Sequence, residues 1–444
     1  MLALSATCKG ADDQDGADGS SSSDTSGAGT SGTGATGGGV CVPNSGRLPG
    51  GFRVAVSDRT IPLFIRYPVG ATGATPVLVF SHGGGTEDDP SAQSVCWARV
   101  MARAGYVVIS VAHTGLGSNY LAMCAAYGID CDGGAFGMNA VLRAHDLRAV
   151  IDDLDCIEAA IQAEAGSALT LDRDAIALGG WSAGCWGGEV LGGADQIIVP
   201  SEVHLSLPDP RPRALLLNSP PGPSARDEGR GFFCTPSDQD CCVPGTGAAC
   251  SSGWESISSW RDIALPSMLL TGDGDCADFI GAERRASFAG FSSPDKYLVD
   301  IVEGGSCMGD LATGTCTGCF AEHNTFNIYG GDMCDADGQL LPPGNAPGDA
   351  LRFGATRLLT SAARAFLDAH LRNSTAARDY LASDRLEVLS QGFVTWPGDA
   401  AKNGACTTAN DKACVYQSPE TYPVGEIGTP HDSTSYYFVH TDSY

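Results

Sequence analysis

The sequence predicts an α/β fold with a mostly parallel central sheet and helices on both of its faces. Short, continuous apolar runs, typical of strands buried on both faces, alternate with longer segments whose apolar residues recur at helical spacing. Repeated strand–helix units favour a parallel sheet covered on both sides. Hydrophobic residues make up 43% of the 444-residue chain, which is enough for a large core.

Each predicted element follows from one of these two patterns. Strands are expected where apolar residues run together, at residues 52–56, 61–67, 75–81, 106–111, 175–179, 214–218, 267–271 and 296–302. The first two are expected to form a hairpin. Helices are expected where the apolar residues take a helical period, at residues 91–104, 138–164 and 351–371.

The composition divides the chain into three regions. Residues 1–40 are interpreted as a signal remnant and a flexible tether, because a segment of Gly, Ser, Thr, Ala and Asp cannot bury enough apolar surface to fold. Residues 41–394 are expected to form the main domain, and residues 395–444 a C-terminal extension. Three Cys-, Gly- or Pro-rich insertions interrupt the main domain, at residues 222–255, 303–322 and 330–350.

The charge excludes several classes of partner. The chain has 26 Lys and Arg against 52 Asp and Glu, so its net charge is −26. A surface this acidic repels nucleic acid and disfavours adsorption to anionic lipid. We also expect no membrane-spanning helix, because no apolar run reaches roughly 18–20 residues.

The cysteines and the first eight residues indicate an extracytoplasmic location. Eighteen cysteines are better explained by an oxidising compartment than by a reducing cytosol. Residues 1–8 resemble the end of a bacterial lipoprotein signal, in which Cys8 would carry the lipid; the alternative is an ordinary secreted protein. Without Cys8 the number of cysteines is odd, and Cys185, after the buried start of a helix, is expected to be a free thiol.

The strongest functional motif is Gly180-Trp-Ser182-Ala-Gly184, directly after the predicted strand 175–179. A G-x-S-x-G sequence between a strand and a helix forms a sharp turn that raises the serine oxygen above the sheet edge. Ser182 is therefore the expected nucleophile; the alternative is a tight packing turn.

A second glycine-rich motif, Ser81-His-Gly-Gly-Gly85, comes immediately after the apolar strand residues 75–80. Glycines there let backbone N–H groups approach a substrate, and an oxyanion hole needs two such donors. We expect them to be the N–H groups of Gly84 and Ala183. A plain glycine turn is the alternative.

With these two motifs about 100 residues apart, residues 50–390 resemble the α/β-hydrolase superfamily. The resemblance is greatest to the branch of dienelactone-hydrolase-like enzymes, platelet-activating-factor acetylhydrolases and bacterial polyester hydrolases or cutinases. It implies an α/β-hydrolase fold and a catalytic domain at residues 41–394. Dienelactone hydrolases proper use a cysteine nucleophile, whereas this sequence has Ser182.

The resemblance implies an acid after a later strand and then a histidine. The Gly-x-x-Asp pattern at Gly272 selects Asp275, with Asp273 as the alternative. Calcium at these aspartates does not fit an EF-hand, and zinc at Cys316 and Cys319 lacks a second ligand pair. We therefore expect no metal and no cofactor.

The histidine departs from the family pattern, because Ser306 stands where the resemblance places it. We interpret the following residues as a Cys-stapled insertion that presents His323. His431 and His440 are the alternatives, since the extension could fold back over the site. If no histidine reaches Ser182, the protein is a relic hydrolase that serves as a surface binding lipoprotein.

These residues predict a monomeric serine hydrolase that cleaves carboxylic esters through a Ser-His-Asp triad and an acyl-enzyme. The same triad could instead act on peptide, thioester or lactone bonds. His82, Trp181 and Trp186 are candidate pocket walls, with core packing as the alternative. As in some polyester hydrolases, the resemblance also implies a Cys276–Cys307 disulfide between the acid and histidine loops.

Overall fold

The structure is a computed structural model, and it describes residues 59–84, 94–113, 135–166, 168–194, 196–198, 203–222, 258–275, 284–301, 308–310, 315–317, 323–327, 334–341, 349–383, 416, 421–427 and 438–440. The predicted tether, the strand predicted at residues 52–56 with its hairpin, and the predicted Cys276–Cys307 disulfide lie outside this part of the chain. No helix within it combines the length and apolar character needed to cross a bilayer.

The described elements are numbered here in chain order. The strands are β1 (Arg59–Ile61), β2 (Leu63–Pro68), β3 (Gly73–Ser81), β4 (Val107–Val111), β5 (Leu169–Trp181), β6 (Gln196–Ile198), β7 (Val203–Leu205), β8 (Pro212–Asn218), β9 (Ser267–Gly272), β10 (Lys296–Ile301), β11 (Met308–Asp310), β12 (Thr315–Thr317), β13 (Val424–Ile427) and β14 (Phe438–His440). The α-helices are α1 (Val95–Arg103), α2 (Ala135–Asp152), α3 (Leu154–Ala165), α4 (Gly184–Leu191), α5 (Ala286–Gly290), α6 (Asp349–Leu371) and α7 (Thr375–Leu381). Two short 3-10 helices span Ser258–Asp262 and His323–Asn327.

Eight strands form the main sheet, in the order β10-β9-β8-β5-β3-β4-β2-β13. From β10 to β4 all neighbours are parallel, whereas β2 and β13 add two antiparallel pairings at one edge. The sheet is therefore mixed but mostly parallel, and the predicted α/β class is confirmed. Because the inner strands are parallel, the chain must cross back between them, and helices α1 to α5 lie in these crossings.

The core lies in two layers, one on each face of the sheet. Successive strand residues point to opposite faces, so Val79 belongs to one buried cluster and its neighbours Leu78 and Phe80 belong to the other. The first cluster packs against α2, α3 and α4, and the second against α1, α6 and α7. This double coverage explains why the inner strands are continuous apolar runs.

The helix predicted at residues 138–164 is two helices. It breaks at Asp153, which has a φ of −98° and precedes the new helix as its N-cap residue. The Asp153 side chain makes no capping hydrogen bond to the new helix, and the apolar period alone does not indicate the break. Burial, followed by the neighbouring Asp152 and Asp155, raises the pKa of the Asp153 carboxyl to about 7.

The C-terminal extension contributes two strands that the sequence pattern did not predict. β13 pairs with β2 at the edge of the main sheet, and β14 pairs with β1. Glu426 on β13 accepts from Arg66 Nε at 3.0 Å and from Arg99 Nε at 2.7 Å. The extension is thus held to the sheet by both backbone pairing and charge.

Among the described cysteines, one is a free thiol and two form a disulfide that the sequence did not predict. Cys185 is a buried free thiol, as predicted, and burial is the main cause that raises its pKa. Cys96 on α1 forms a disulfide with Cys334. This bridge joins a helix that follows the glycine motif to a segment that follows His323.

We expect Glu426→Gln to lower the free energy of unfolding by about 1–2 kcal/mol, because the 1%-exposed Arg66 loses the nearby carboxylate charge of Glu426. Urea unfolding would measure the change. The exposed Asp379→Asn on α7 is the control and should stay within about 0.5 kcal/mol of the wild type. Equal stability of the two variants would contradict a stabilising role for the pair.

Candidate active site

Ser182 lies at the sharp turn between β5 and α4. Its φ is 51°, in the left-handed region that non-glycine residues seldom adopt. Its N–H donates to Asn218 O at 2.9 Å, and its carbonyl accepts from Cys185 N at 2.9 Å. This is the strand–turn–helix conformation that the G-x-S-x-G sequence predicts.

The glycines beside Ser182 are required by close backbone approach. A Cβ on Gly180 would lie 2.7 Å from Cys185 N. A Cβ on Gly184 would come within 2.6 Å of His82 O and closer still to Ser81 O. Neither position has room for a side chain, so the turn sits directly against the end of β3.

Asp275 and His323 meet at the carboxyl ends of the strands, where the sequence predicts them. Asp275 Oδ1 lies 2.6 Å from His323 Nδ1. The aspartate is fully buried after β9, and 13% of the histidine side chain is exposed. Because Nδ1 faces the aspartate, Nε2 is on the opposite side of the ring, as a general base in a triad requires.

His323 also contacts Trp181, the residue before Ser182. Trp181 Nε1 donates to His323 O at 3.2 Å, and the two rings are 4.8 Å apart. These contacts bring the histidine to the same turn as the serine. The structure therefore gathers all three predicted triad residues at one edge of the sheet.

Three further side chains hold the Asp275 carboxylate. Thr271 Oγ1 donates to Oδ2 at 3.0 Å, and Ser219 Oγ donates to Oδ1 at 2.9 Å. Arg284 Nε lies 2.9 Å from Oδ1. Burial acts to raise the pKa of this carboxyl, but the charges of Arg284 and His323 outweigh burial and hold the pKa below its ordinary value. Asp275 is thus ionised at neutral pH and can orient the imidazole.

Asp273, the alternative acid, has a different partner. Its carboxylate accepts from Arg285 Nη2 at 2.6 Å, and the same nitrogen lies 2.7 Å from Asp300 Oδ1. Of the two aspartates, Asp275 is the one hydrogen-bonded to His323. The aspartate that the Gly-x-x-Asp pattern selects is therefore the one that contacts His323.

Of the two alternative histidines, the structure describes one. His440 lies on β14, where it pairs with Arg59. His431 lies outside the described residues. Ser306 lies outside them too, and the acid–histidine pair that the structure describes is Asp275 with His323.

The two predicted oxyanion-hole residues are neighbours. A Cβ built on Gly84 would lie 3.9 Å from Ala183 Cβ, so the glycine loop after β3 runs beside the first turn of α4. Ala183 directly precedes α4. This arrangement brings the backbones of both predicted donors to the side of Ser182.

The three predicted pocket residues have different surroundings. Trp181 is 9% exposed and faces His323, so it lies at the site. Trp186 is 2% exposed within the core cluster on the α2 side of the sheet. His82 is buried under the glycine loop, where Nδ1 donates to Gly83 O at 2.8 Å. For Trp186 and His82, core packing, the alternative interpretation, fits the structure better than a pocket wall.

A buried acid lies behind the serine turn. Glu189 on α4 is fully buried, and its two carboxyl oxygens have no hydrogen-bond partner within the part of the chain that the structure describes. Burial raises the pKa of this carboxyl well above its ordinary value. Burial therefore favours the neutral form of Glu189 in the folded protein.

Sequence reasoning missed two residues of the site. Ser219 lies 2.7 Å from His323 Nδ1, and Arg284 donates to Ser219 O at 2.9 Å. The signal for Ser219 was its place directly after the buried strand β8, the same kind of position that identified the acid. Nothing in the local sequence distinguishes Arg284 from other arginines.

No protein-family model matches the chain, and no curated protein is significantly similar to it in sequence. Within the described residues, no group of three or more His, Cys, Asp and Glu side chains forms a metal-binding cluster. The interpretation of the site therefore depends on its own geometry.

We expect Gly184→Ala to lower the free energy of unfolding by about 1–3 kcal/mol or more, because the new methyl group would overlap the carbonyls at the end of β3. Gly188→Ala is a matched control on the same helix. A Cβ there would lie 3.7 Å from Leu178 Cβ, an ordinary contact, so this variant should be neutral or stabilising by up to about 1 kcal/mol. Urea unfolding would compare them; equal effects would contradict the close approach.

We expect Glu189→Gln to flatten the fall of stability with pH. The unfolded chain loses this proton near pH 4.5, whereas burial raises the pKa of the carboxyl in the folded protein, so wild-type stability falls as pH rises above 4.5. The amide cannot ionise, so the difference between variant and wild type should change by up to about 1.4 kcal/mol per pH unit. Urea unfolding at several pH values would measure it, and parallel curves would contradict the assignment.

Proposed function

We propose that the protein is a serine hydrolase with the α/β-hydrolase fold that cleaves carboxylic esters. The observation that carries the proposal is the 2.6 Å hydrogen bond between Asp275 Oδ1 and His323 Nδ1. This pair lies next to Ser182, which has a left-handed backbone conformation between a strand and a helix. A buried ionised acid, an oriented imidazole and a raised serine are the parts that acyl transfer requires.

The proposed reaction uses only groups of this chain. His323 Nε2 takes the proton of Ser182 Oγ, which attacks the ester carbonyl carbon. The N–H groups of Gly84 and Ala183 bind the resulting oxyanion. The imidazolium then gives its proton to the leaving alcohol, and an acyl-enzyme remains. Water, deprotonated by the same imidazole, releases the acid and restores the serine.

The sheet supports the α/β-hydrolase assignment. The order β4-β3-β5-β8-β9-β10 is parallel throughout, with an antiparallel strand beyond β4. The serine turn follows β5, and the acid follows β9. The resemblance of the two glycine motifs to polyester hydrolases and acetylhydrolases points the same way.

We further propose that the protein works outside the cytoplasm, as a monomer, either secreted or anchored through lipid on Cys8. The disulfide between Cys96 and Cys334 is consistent with an oxidising compartment. No metal or organic cofactor is needed for the proposed reaction.

The test is hydrolysis of p-nitrophenyl esters from acetate to palmitate. Ser182→Ala and Asp275→Asn should each lower kcat by about 10⁴-fold or more, because they remove the nucleophile or leave the imidazole unoriented. Asp273→Asn is the matched control in the same loop, and its kcat should stay within a few-fold of the wild type.

Labelling separates the proposal from its alternatives. A fluorophosphonate should label the wild type at Ser182 and should not label Ser182→Ala. Labelling without ester hydrolysis would favour a peptide, thioester or lactone bond as the substrate. Failure of a folded, oxidised protein to be labelled would favour the relic binding lipoprotein.

A further inference from the structure

A second buried hydrogen-bond network lies behind the glycine loop. Ser81 Oγ is 2.7 Å from His113 Nε2, and His113 Nδ1 is 2.8 Å from Asp146 Oδ2. Arg143 Nη1 donates to Ser81 Oγ at 3.0 Å and to His82 O at 2.6 Å. Serine, histidine and aspartate thus meet here as they do in a catalytic triad.

This network does not have the access that a second catalytic site would need. Ser81, Arg143 and Asp146 are fully buried, and His113 is 2% exposed. Ser81 Oγ is already occupied by the guanidinium. Because no substrate can reach these residues, their role is to hold another part of the structure in place. That part is the glycine loop after β3.

The loop carbonyls are the acceptors of this network. Arg143 Nη2 donates to Gly83 O at 2.9 Å, and His82 Nδ1 lies 2.8 Å from the same oxygen. A carbonyl only accepts, so His82 carries its proton on Nδ1, while its Nε2 accepts from His113 N at 3.4 Å. Burial, followed by the charge of Arg143, lowers the pKa of His82 to about 3, so the ring is neutral.

Gly83 O belongs to the same peptide unit as the Gly84 N–H. A peptide unit is planar and almost always trans, so its C=O and N–H point in opposite directions. Two donors that fix the carbonyl on the buried side therefore aim the N–H away from them. That N–H is the predicted first donor of the oxyanion hole.

The glycines cannot fix this orientation themselves. A Cβ on Gly83 would meet the Trp181 ring, so the position must be glycine. Because glycine accepts many backbone conformations, a Gly–Gly peptide can rotate unless something outside it prevents the rotation.

Building on the proposed function, we propose that Arg143 and His82 are positioning residues that lock the Gly83–Gly84 peptide, so that the Gly84 N–H faces the oxyanion. Ser81, His113 and Asp146 hold the guanidinium and the loop in turn. Arg143 acts on the reaction only through this peptide.

The test compares Arg143→Lys and Ser81→Ala with the wild type. Lysine keeps the charge but cannot reach both carbonyls with the guanidinium fork, so kcat should fall by about 10²-fold, with about 10³-fold as the limit for complete loss of one oxyanion donor. KM should change by less than about threefold, since the ground-state carbonyl gains little from the donor. Ser81→Ala removes only a hydroxyl and should lower kcat by about 3–10-fold.

Two measurements distinguish positioning from a structural role. Phosphonate titration gives the number of active sites, and kcat is expressed per titrated site, so partly unfolded protein does not count as lost activity. An alkyl boronic acid, which mimics the tetrahedral oxyanion on Ser182, should lose affinity in proportion to kcat/KM. Arg148→Met is the matched control on the same helix, and its kcat per site should equal the wild-type value.

Each outcome decides the inference. An active wild type with unchanged kcat per site and boronate affinity in Arg143→Lys would overturn the positioning role alone. A wild type that neither hydrolyses esters nor is labelled at Ser182 would overturn the proposed function and this inference with it. If Arg143→Lys does not fold, Ser81→Ala decides: parallel losses of kcat/KM and boronate affinity support the lock, and wild-type values reject it.

Discussion

The left-handed backbone of Ser182 is the constraint on which the rest of the site depends. Such a conformation costs about 1–3 kcal/mol in a residue other than glycine, and it persists only where the surroundings enforce it. Here the serine N–H is bound to the end of β8, and Gly184 is pressed against the end of β3. The contact that enforces the strain is the same contact that brings the two predicted oxyanion donors together.

Two buried arginines hold the loops on either side of this turn. A buried guanidinium is unfavourable unless its N–H groups are bonded. Arg143 donates to the carbonyls of His82 and Gly83, and Arg284 donates to those of Ser219 and Pro220. In both cases a side chain from another part of the chain fixes the backbone after a strand. The shape of these loops is therefore set by partners distant in sequence.

The difference between local patterns and contacts distant in sequence explains which features the sequence could predict. The inner strands and the serine turn were recognisable because apolar runs and a glycine-flanked serine are local patterns. Asp275 was recognisable from the same kind of pattern after β9. Ser219 and Arg284 were missed because their importance comes from meeting Asp275 in space, and no local pattern carries that information. β13 was missed for the same reason, since its pairing with β2 joins segments at opposite ends of the chain.

The position of His323 also depends on contacts between segments that are distant in sequence. The family resemblance places the histidine where Ser306 stands, so the sequence predicts the next histidine, His323, and this is the one that contacts Asp275 in the structure. What fixes that partner is the packing of the residues that follow it: Phe326 is fully buried against Gly272, and Asn327 accepts from Ser94 Oγ at the start of α1. The Cys96–Cys334 disulfide joins the same two regions. Because these contacts hold the residues after His323, they help to determine where the imidazole meets the acid, and no spacing along the chain encodes them.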